Sequence, residues 1–271
     1  MTEPFVDIHC HLLPELDDGA ASLDEALAMA EMAVGDGTGT IVATPHQLGN
    51  HADNSASAIL AATERLQSTI DRRGLRLRVL SGADVRIEPD LVGKIRRGEV
   101  MTLANHRRHV LLELPHEVYF PLDGLLAELN AAGLVGILSH PERNVALMKQ
   151  PGTLRPLVER GCLMQVTAGS LTGLFGSRVE QFAVWLVEQG LVHFVASDAH
   201  GTRNRTPGLS EAFGRVAKLA GQETALDCFC RHPSRVAAGQ DVRHRARGSL
   251  PARRGWFGRN FVSGLLGTRT I

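Results

Sequence analysis

The run FVDIHCH closes on His9 and His11. Two imidazoles two residues apart on an extended chain lie on the same side of it and can chelate one ion. Five further apolar runs stop in the same way: TIVATPH at His46, LRVLSGAD at Asp84, VLLELP at Glu113, GILSHPER at His140 and HFVASDAH at Asp198 and His200. A DDG turn carrying Asp17 and Asp18 follows the first run, and only the run LMQVTAGS lacks a strong ligand. Imidazoles and carboxylates without thiolate suit Mn²⁺, Zn²⁺ or Fe²⁺ in an open catalytic site better than a closed structural zinc. Two such ions about 3.5–4 Å apart generate a hydroxide from water and neutralise the charge of a phosphoryl transition state.

Groups so far apart in sequence converge only if the strands carrying them end at one place. Helix signals separate the runs. Ser22-Leu-Asp-Glu25 reads as a capping box opening a helix with Leu23, Ala26, Leu27, Ala30 and Ala33 at helical spacing. Helical segments are predicted from Pro121 to Ala132, Leu154 to Arg160, around Val179–Gln189, and near Leu209–Ala220 and Thr224–Cys228. Strands alternating with helices imply parallel pairing through crossovers. A parallel barrel gathers its strand ends around one mouth. Seven units predict an α/β fold, a distorted seven-stranded (β/α)7 barrel, as a single domain over residues 1–242.

The 271 residues carry a formal net charge of +0, which argues against nucleic acid as a partner. From Arg231 onward there are nine Lys/Arg and one acidic residue, Asp241. Residues 243–271 read as a basic, flexible tail, and Trp256, Phe257 and Phe261 beside arginines would suit weak contact with a membrane surface. No basic region followed by an apolar stretch opens the chain, and no run reaches the roughly 20 apolar residues of a span. With Cys10, Cys162, Cys228 and Cys230 forming no framework, the expectation is a cytoplasmic protein with free thiols.

DIHCHLLPELDDGA, ATPHQ, LSHPERN, QVTAGSLTGLFG and VASDAHGTRNRT resemble the polymerase-and-histidinol-phosphatase (PHP) superfamily. Within it they are similar to the CpsB/CapC branch of bacterial protein-tyrosine phosphatases of capsule and exopolysaccharide systems, to which the LFGS and SDAH blocks are specific. The resemblance runs from about Val6 to about Asp241. It implies a PHP-type barrel, three divalent ions per chain, usually manganese, and hydroxide attack on the phosphotyrosine of a tyrosine-rich kinase tail. One ion would take His9, His11, Asp84 and Asp198, and a second Asp84, Glu113 and His140. The third would take Asp18, His46 and His200, with Asp17 as the alternative to Asp18. Arg143 and Arg205 match the family's phosphate-gripping arginines, Arg203 being the neighbour that could replace Arg205, and Arg86 matches a pocket arginine. The family normally carries Glu where this chain has Asp84.

Other assignments compete. A cysteine phosphatase needs Arg six residues after the nucleophile, but Leu16, Ala168, Ser234 and Val236 stand there. An amidohydrolase bridging lysine is missing too, since Lys94, Lys149 and Lys218 end no predicted strand. The same site could serve a histidinol-phosphate-like small-molecule phosphatase, a nucleic-acid phosphoesterase, or a metal-binding scaffold with weak turnover. Bland roles are expected for Cys10, pointing into the wall, and His193, a satisfied structural histidine. His51, His106, His109, His116, His232 and His244 read as solvated, and Asp7 as a cap or an orienting partner.

Overall fold

A computed structural model of the protein describes residues 3–242. The basic tail, with its expected flexibility and membrane contact, lies outside the described residues, as does His244.

The strands are β1 (Phe5–Cys10), β2 (Thr38–Ala43), β3 (His46–Gln47), β4 (Arg78–Ser81), β5 (Asp84–Arg86), β6 (His109–Glu113), β7 (Val135–Ser139), β8 (Leu163–Thr167) and β9 (Phe194–Ala196). All pairings are parallel, in two sheets ordered β1-β2-β4 and β3-β5-β6-β7-β8-β9. The described residues therefore hold a curled parallel sheet of nine strands in groups of three and six, rather than seven uninterrupted ones. The interruptions fall at Thr44–Pro45 and Gly82–Ala83. Proline cannot donate to a ladder, and a Cβ on Gly82 would stand 2.8 Å from Val42 Cγ1. Beyond β9, Asp198 N donates to His9 O at 2.7 Å and His11 N to Ala199 O at 2.9 Å, bringing the last strand against the first.

Helices cover the outer face, as the crossovers require. Leu23–Gly35 begins with Ser22 Oγ accepting from Glu25 N at 3.2 Å, while the Glu25 carboxylate accepts from Ala21 N at 3.1 Å instead of Ser22 N. Only half of the expected capping box forms. Ala26, Leu27, Ala30 and Ala33 are buried as the spacing predicts, but Leu23 is exposed. The predicted Pro121–Ala132 helix spans Asp123–Ala131, and the Thr224–Cys228 segment is a helix over Gln222–Leu226 that widens into a π turn, Asp227–Arg231.

Two apolar clusters result. The larger joins the helices to the outward side chains of the strands, including Val110, Leu112, Met164, Val166 and Val195. The smaller holds Val6, Ile8, Val42, Leu111, Ile137, Leu163, Phe194 and Ala196 inside the curl. Alternation with a period of two then sets Glu113 beyond Leu111, Gln165 beyond Leu163 and Asp198 beyond Ala196 on the same inner face. His109, expected to be solvated from its polar context, starts this inner column on β6 and is fully buried.

Candidate metal centre

The inner column delivers the ligand-type side chains to one end of the curl. His9, His11, Asp84, His140 and Asp198 are buried, His46 and Glu113 are partly buried, and Asp18 is on the rim. Four overlapping groups form, each with its ligand atoms within 4.8 Å of one another: His11, Asp18, His46 and His200; His9, His11 and Asp84; His9, His140 and Asp198; His46, Asp84 and Glu113. All nine ligand candidates therefore meet. The four cysteines stay out of it, and Cys10 packs in the outer core.

The imidazoles are held so that one nitrogen faces inward. His9 Nδ1 donates to Gln165 Oε1 at 2.9 Å, His11 Nδ1 to Asp17 Oδ2 at 2.6 Å, and His200 Nδ1 to Asp198 O at 2.9 Å. Each bond fixes a tautomer and leaves Nε2 for the centre, the usual support of a metal-ligating histidine. His9 Nε2 lies 3.5 Å from Asp84 and 3.3 Å from Asp198, and His200 Nε2 lies 3.4 Å from Asp18. Asp17 also accepts from His46 N and Gly19 N, each at 2.9 Å, so it braces the ring while Asp18 faces the ligand atoms.

The electrostatics call for cations. Asp84 is fully buried, and neither of its oxygens receives a hydrogen bond among the described residues. Its nearest donors are His9 Nε2 at 3.5 Å, His46 Nδ1 at 3.6 Å and His140 Nε2 at 3.9 Å. A buried carboxylate left in that state is costly unless a positive charge compensates it. Burial raises the Glu113 carboxyl, and the Asp84 charge beside it adds to that, to about 7. Burial pushes His11 and His140 down to about 4, so both are neutral at pH 7, the form that ligates metal. For His9, burial acts the same way but is overridden by Asp198 and Asp84, which raise it to about 9. The donor set and the bare Asp84 oxygens fit divalent metal ions.

His140 and Asp198 both adopt left-handed backbone, with φ of 31° and 51°. Non-glycine residues there cost about 1–3 kcal/mol, and such strain clusters at functional sites. Arg143 and Arg205 both reach Asp198, the latter at 2.6 Å, whereas Arg203 is exposed and makes no such contact. Arg86 contacts Glu113 at 3.4 Å. Asp7 caps backbone and not a ligand ring: it accepts from His9 N at 3.2 Å, Ser197 N at 3.1 Å and Ser197 Oγ at 2.5 Å, tying β1 to the end of β9.

Sequence reasoning missed Gln165 and His116. Gln165 is fully buried, bonds His9, and is the one long polar side chain in an otherwise apolar strand, which is the signal that could have found it. His116 is exposed, yet its Nε2 lies 3.1 Å from Arg143 Nη2. Gln165→Leu is expected to weaken metal binding about 10- to 100-fold, as removal of an orienting partner does. Calorimetric metal titration checks this, and unchanged affinity would remove Gln165 from the centre.

A family model described as capsular polysaccharide synthesis, CpsB/CapC, matches residues 5–238. The tyrosine-protein phosphatase YwqE of Bacillus subtilis is 36% identical over 220 residues, covering 80% of this chain and 86% of that protein. The tyrosine-protein phosphatase CpsB of Streptococcus pneumoniae is 27% identical over 241 residues, covering 87% and 99%. A crystal structure from work on YwqE and that CpsB, described as unique metal-dependent tyrosine phosphatases, superposes with a TM-score of 0.85 at 32% identity, over 90% of this chain and 99% of the other. A likeness of that extent in sequence and in backbone leaves one assignment: the chain belongs to the CpsB/CapC family.

Proposed function

We propose that this chain is a metal-dependent protein-tyrosine phosphatase whose substrate is the phosphorylated, tyrosine-rich tail of a bacterial tyrosine kinase governing capsule or exopolysaccharide synthesis. The relatives named above support the reaction. The observation that carries it in this molecule is the meeting of two arginines with Asp198 at the edge of a ring of metal-ligand groups.

His9, His11, Asp84 and Asp198 would hold one ion, Asp84, Glu113 and His140 a second, and Asp18, His46 and His200 a third. Manganese is the first candidate, with zinc and iron as alternatives of the same ligand chemistry. Bound there, divalent ions would lower the pKa of a water and neutralise charge developing on the phosphoryl oxygens. The overlap of the groups at His9, His11, His46 and Asp84 supports ions that share ligands.

The chain's own residues do the rest. Arg143 and Arg205 bind the phosphoryl oxygens, where planar guanidinium donors can engage two oxygens at once. Arg205 Nε is buried with no hydrogen-bond partner among the described residues, so a donor is available for that task. Tyrosine leaves as a phenolate whose conjugate acid has a pKa of about 10, so no side chain is needed as a dedicated acid.

Arg143→Ala is expected to lower kcat/KM by about 2–4 kcal/mol, roughly thirty- to a thousandfold. Near-normal kinetics would take Arg143 out of the phosphate site. The reading itself is tested by metal analysis of protein purified without chelator, followed by parallel assays on phosphotyrosine peptide, phosphoserine peptide, histidinol phosphate and single-stranded DNA ends. Preference for any but the first would overturn it.

The finer architecture follows the same reading. With β2 and β3 taken as one interrupted strand, and β4 and β5 as another, the curl is a distorted seven-stranded (β/α)7 barrel of the PHP type over residues 1–242. Thr44 N donates to Cys10 O at 2.9 Å and Asp84 N to Pro45 O at 3.1 Å, which supports pairing across both gaps. No helix among the described residues is long and apolar enough to cross a membrane, and a kinase-tail substrate would place the enzyme in the cytoplasm.

A further inference from the structure

After β8 the chain makes a short helix, Ala168–Leu171, and then a loop whose tip is Leu174–Phe175. Gly173 and Gly176 bracket the tip, both at φ 87°, a conformation other residues rarely adopt. Gly176 N donates to Gly173 O at 3.0 Å and Leu174 N to Gly169 O at 2.9 Å, so the backbone itself orders the turn. A Cβ on Gly169 would come within 2.7 Å of Leu174 Cδ2, so glycine is what lets the leucine lie there.

This tip stands at the phosphate-binding arginine. Arg143 Cζ lies 4.7 Å from the centre of the Phe175 ring. On another side, Arg143 Nη2 meets His116. The His116 loop is pinned by Asn144 Nδ2, which donates to Pro115 O at 2.7 Å and Val118 O at 3.0 Å. Leu174 is 50% exposed and Val118 is 52% exposed. Among the described residues only Leu23 and Met32 are also large, apolar and exposed. A single exposed apolar side chain needs no explanation, but these two lie in the two loops whose Phe175 and His116 contact Arg143, so both loops that touch this arginine carry exposed apolar surface.

We infer that Val118, Leu174 and Phe175 form the wall that receives the phenyl ring of phosphotyrosine, making this wall the determinant of aryl over alkyl phosphate esters. The inference rests on the phosphotyrosine reading above. A ring attached through one oxygen to a phosphate held by Arg143 meets apolar surface, whereas the single methylene of phosphoserine is too short to use it. The segment is the one that the sequence marks by LFGS and that the metal centre leaves without a role.

The test uses metal-loaded, full-length protein and two ligands that are not hydrolysed, phenylphosphonate and methylphosphonate, with inorganic phosphate as the common baseline. Calorimetry is expected to show the phenyl compound binding about tenfold more tightly, a typical discrimination for an apolar pocket. Leu174→Ser and Phe175→Ser are expected to erase most of that preference, and Phe175→Leu to retain it, with inorganic phosphate affinity and thermal melting unchanged in Leu174→Ser. Equal affinity for the two phosphonates, or equal weakening of both in the serine variants, would overturn the inference. Binding with the preference but without turnover of phosphotyrosine peptide would sink the catalytic reading and leave the wall standing. Good turnover without the preference would do the reverse.

Discussion

Asp198→Asn is expected to abolish turnover, by at least about a thousandfold or roughly 4 kcal/mol, while the sheet remains folded. Asp198 is the carboxylate on which the site converges, contacting His9, His11, His200, Arg143 and Arg205. Burial by itself would raise its carboxyl, but His9 and the two guanidinium groups hold it well below the usual carboxylate range, so it is charged at any working pH. Asparagine preserves size and tolerates the left-handed backbone at this position, while alanine would add strain of about 1–2 kcal/mol. The amide loses the negative charge that compensates two arginines and an imidazole, and metal content should fall together with activity. Full activity in a folded Asp198→Asn protein would show that the reaction does not use this centre.

The second large effect comes from removing metal. Dialysis against a chelator is expected to eliminate turnover, and restoring Mn²⁺ to recover it. Thiol alkylation under native conditions should leave it intact. All four cysteines are buried. Burial raises the Cys162 thiol to about 12 and the Cys230 thiol to about 11, and pushes Cys10 well above its ordinary value, so none of these three presents a nucleophilic thiolate. The ions should also stabilise the fold. At a free ion concentration about a hundredfold above Kd the linkage is about 2.7 kcal/mol, which for a domain of this size is a Tm rise of roughly 5–10 °C. Turnover that survives chelation but not alkylation would reverse the assignment.

The candidate ligands were legible because they interrupt apolar runs, and His-x-His fixes which side both rings share. The Asp17 and Asp18 alternative was not, because adjacent residues in a turn differ only in where the backbone aims them. Here Asp17 turns to the far nitrogen of His11 and to two backbone amides, leaving Asp18 to face His200. His109 was misread from its polar sequence context. The better guide was its register with Leu111 and Glu113, which places all three on the inner face. The strand interruptions arise from Pro45 and from the close approach at Gly82, and apolar patterning carries no record of where pairing changes partner.

The seam where Asp198 and Ala199 bond to His9 and His11 has a consequence for synthesis on the ribosome. A nascent chain exposes the first two imidazoles early, but their partners arrive about 190 residues later, and contacts that distant in sequence close slowly. Chains that stop short of residue 198 therefore hold only part of the candidate metal centre. The cluster is complete only once the two edges of the sheet have met.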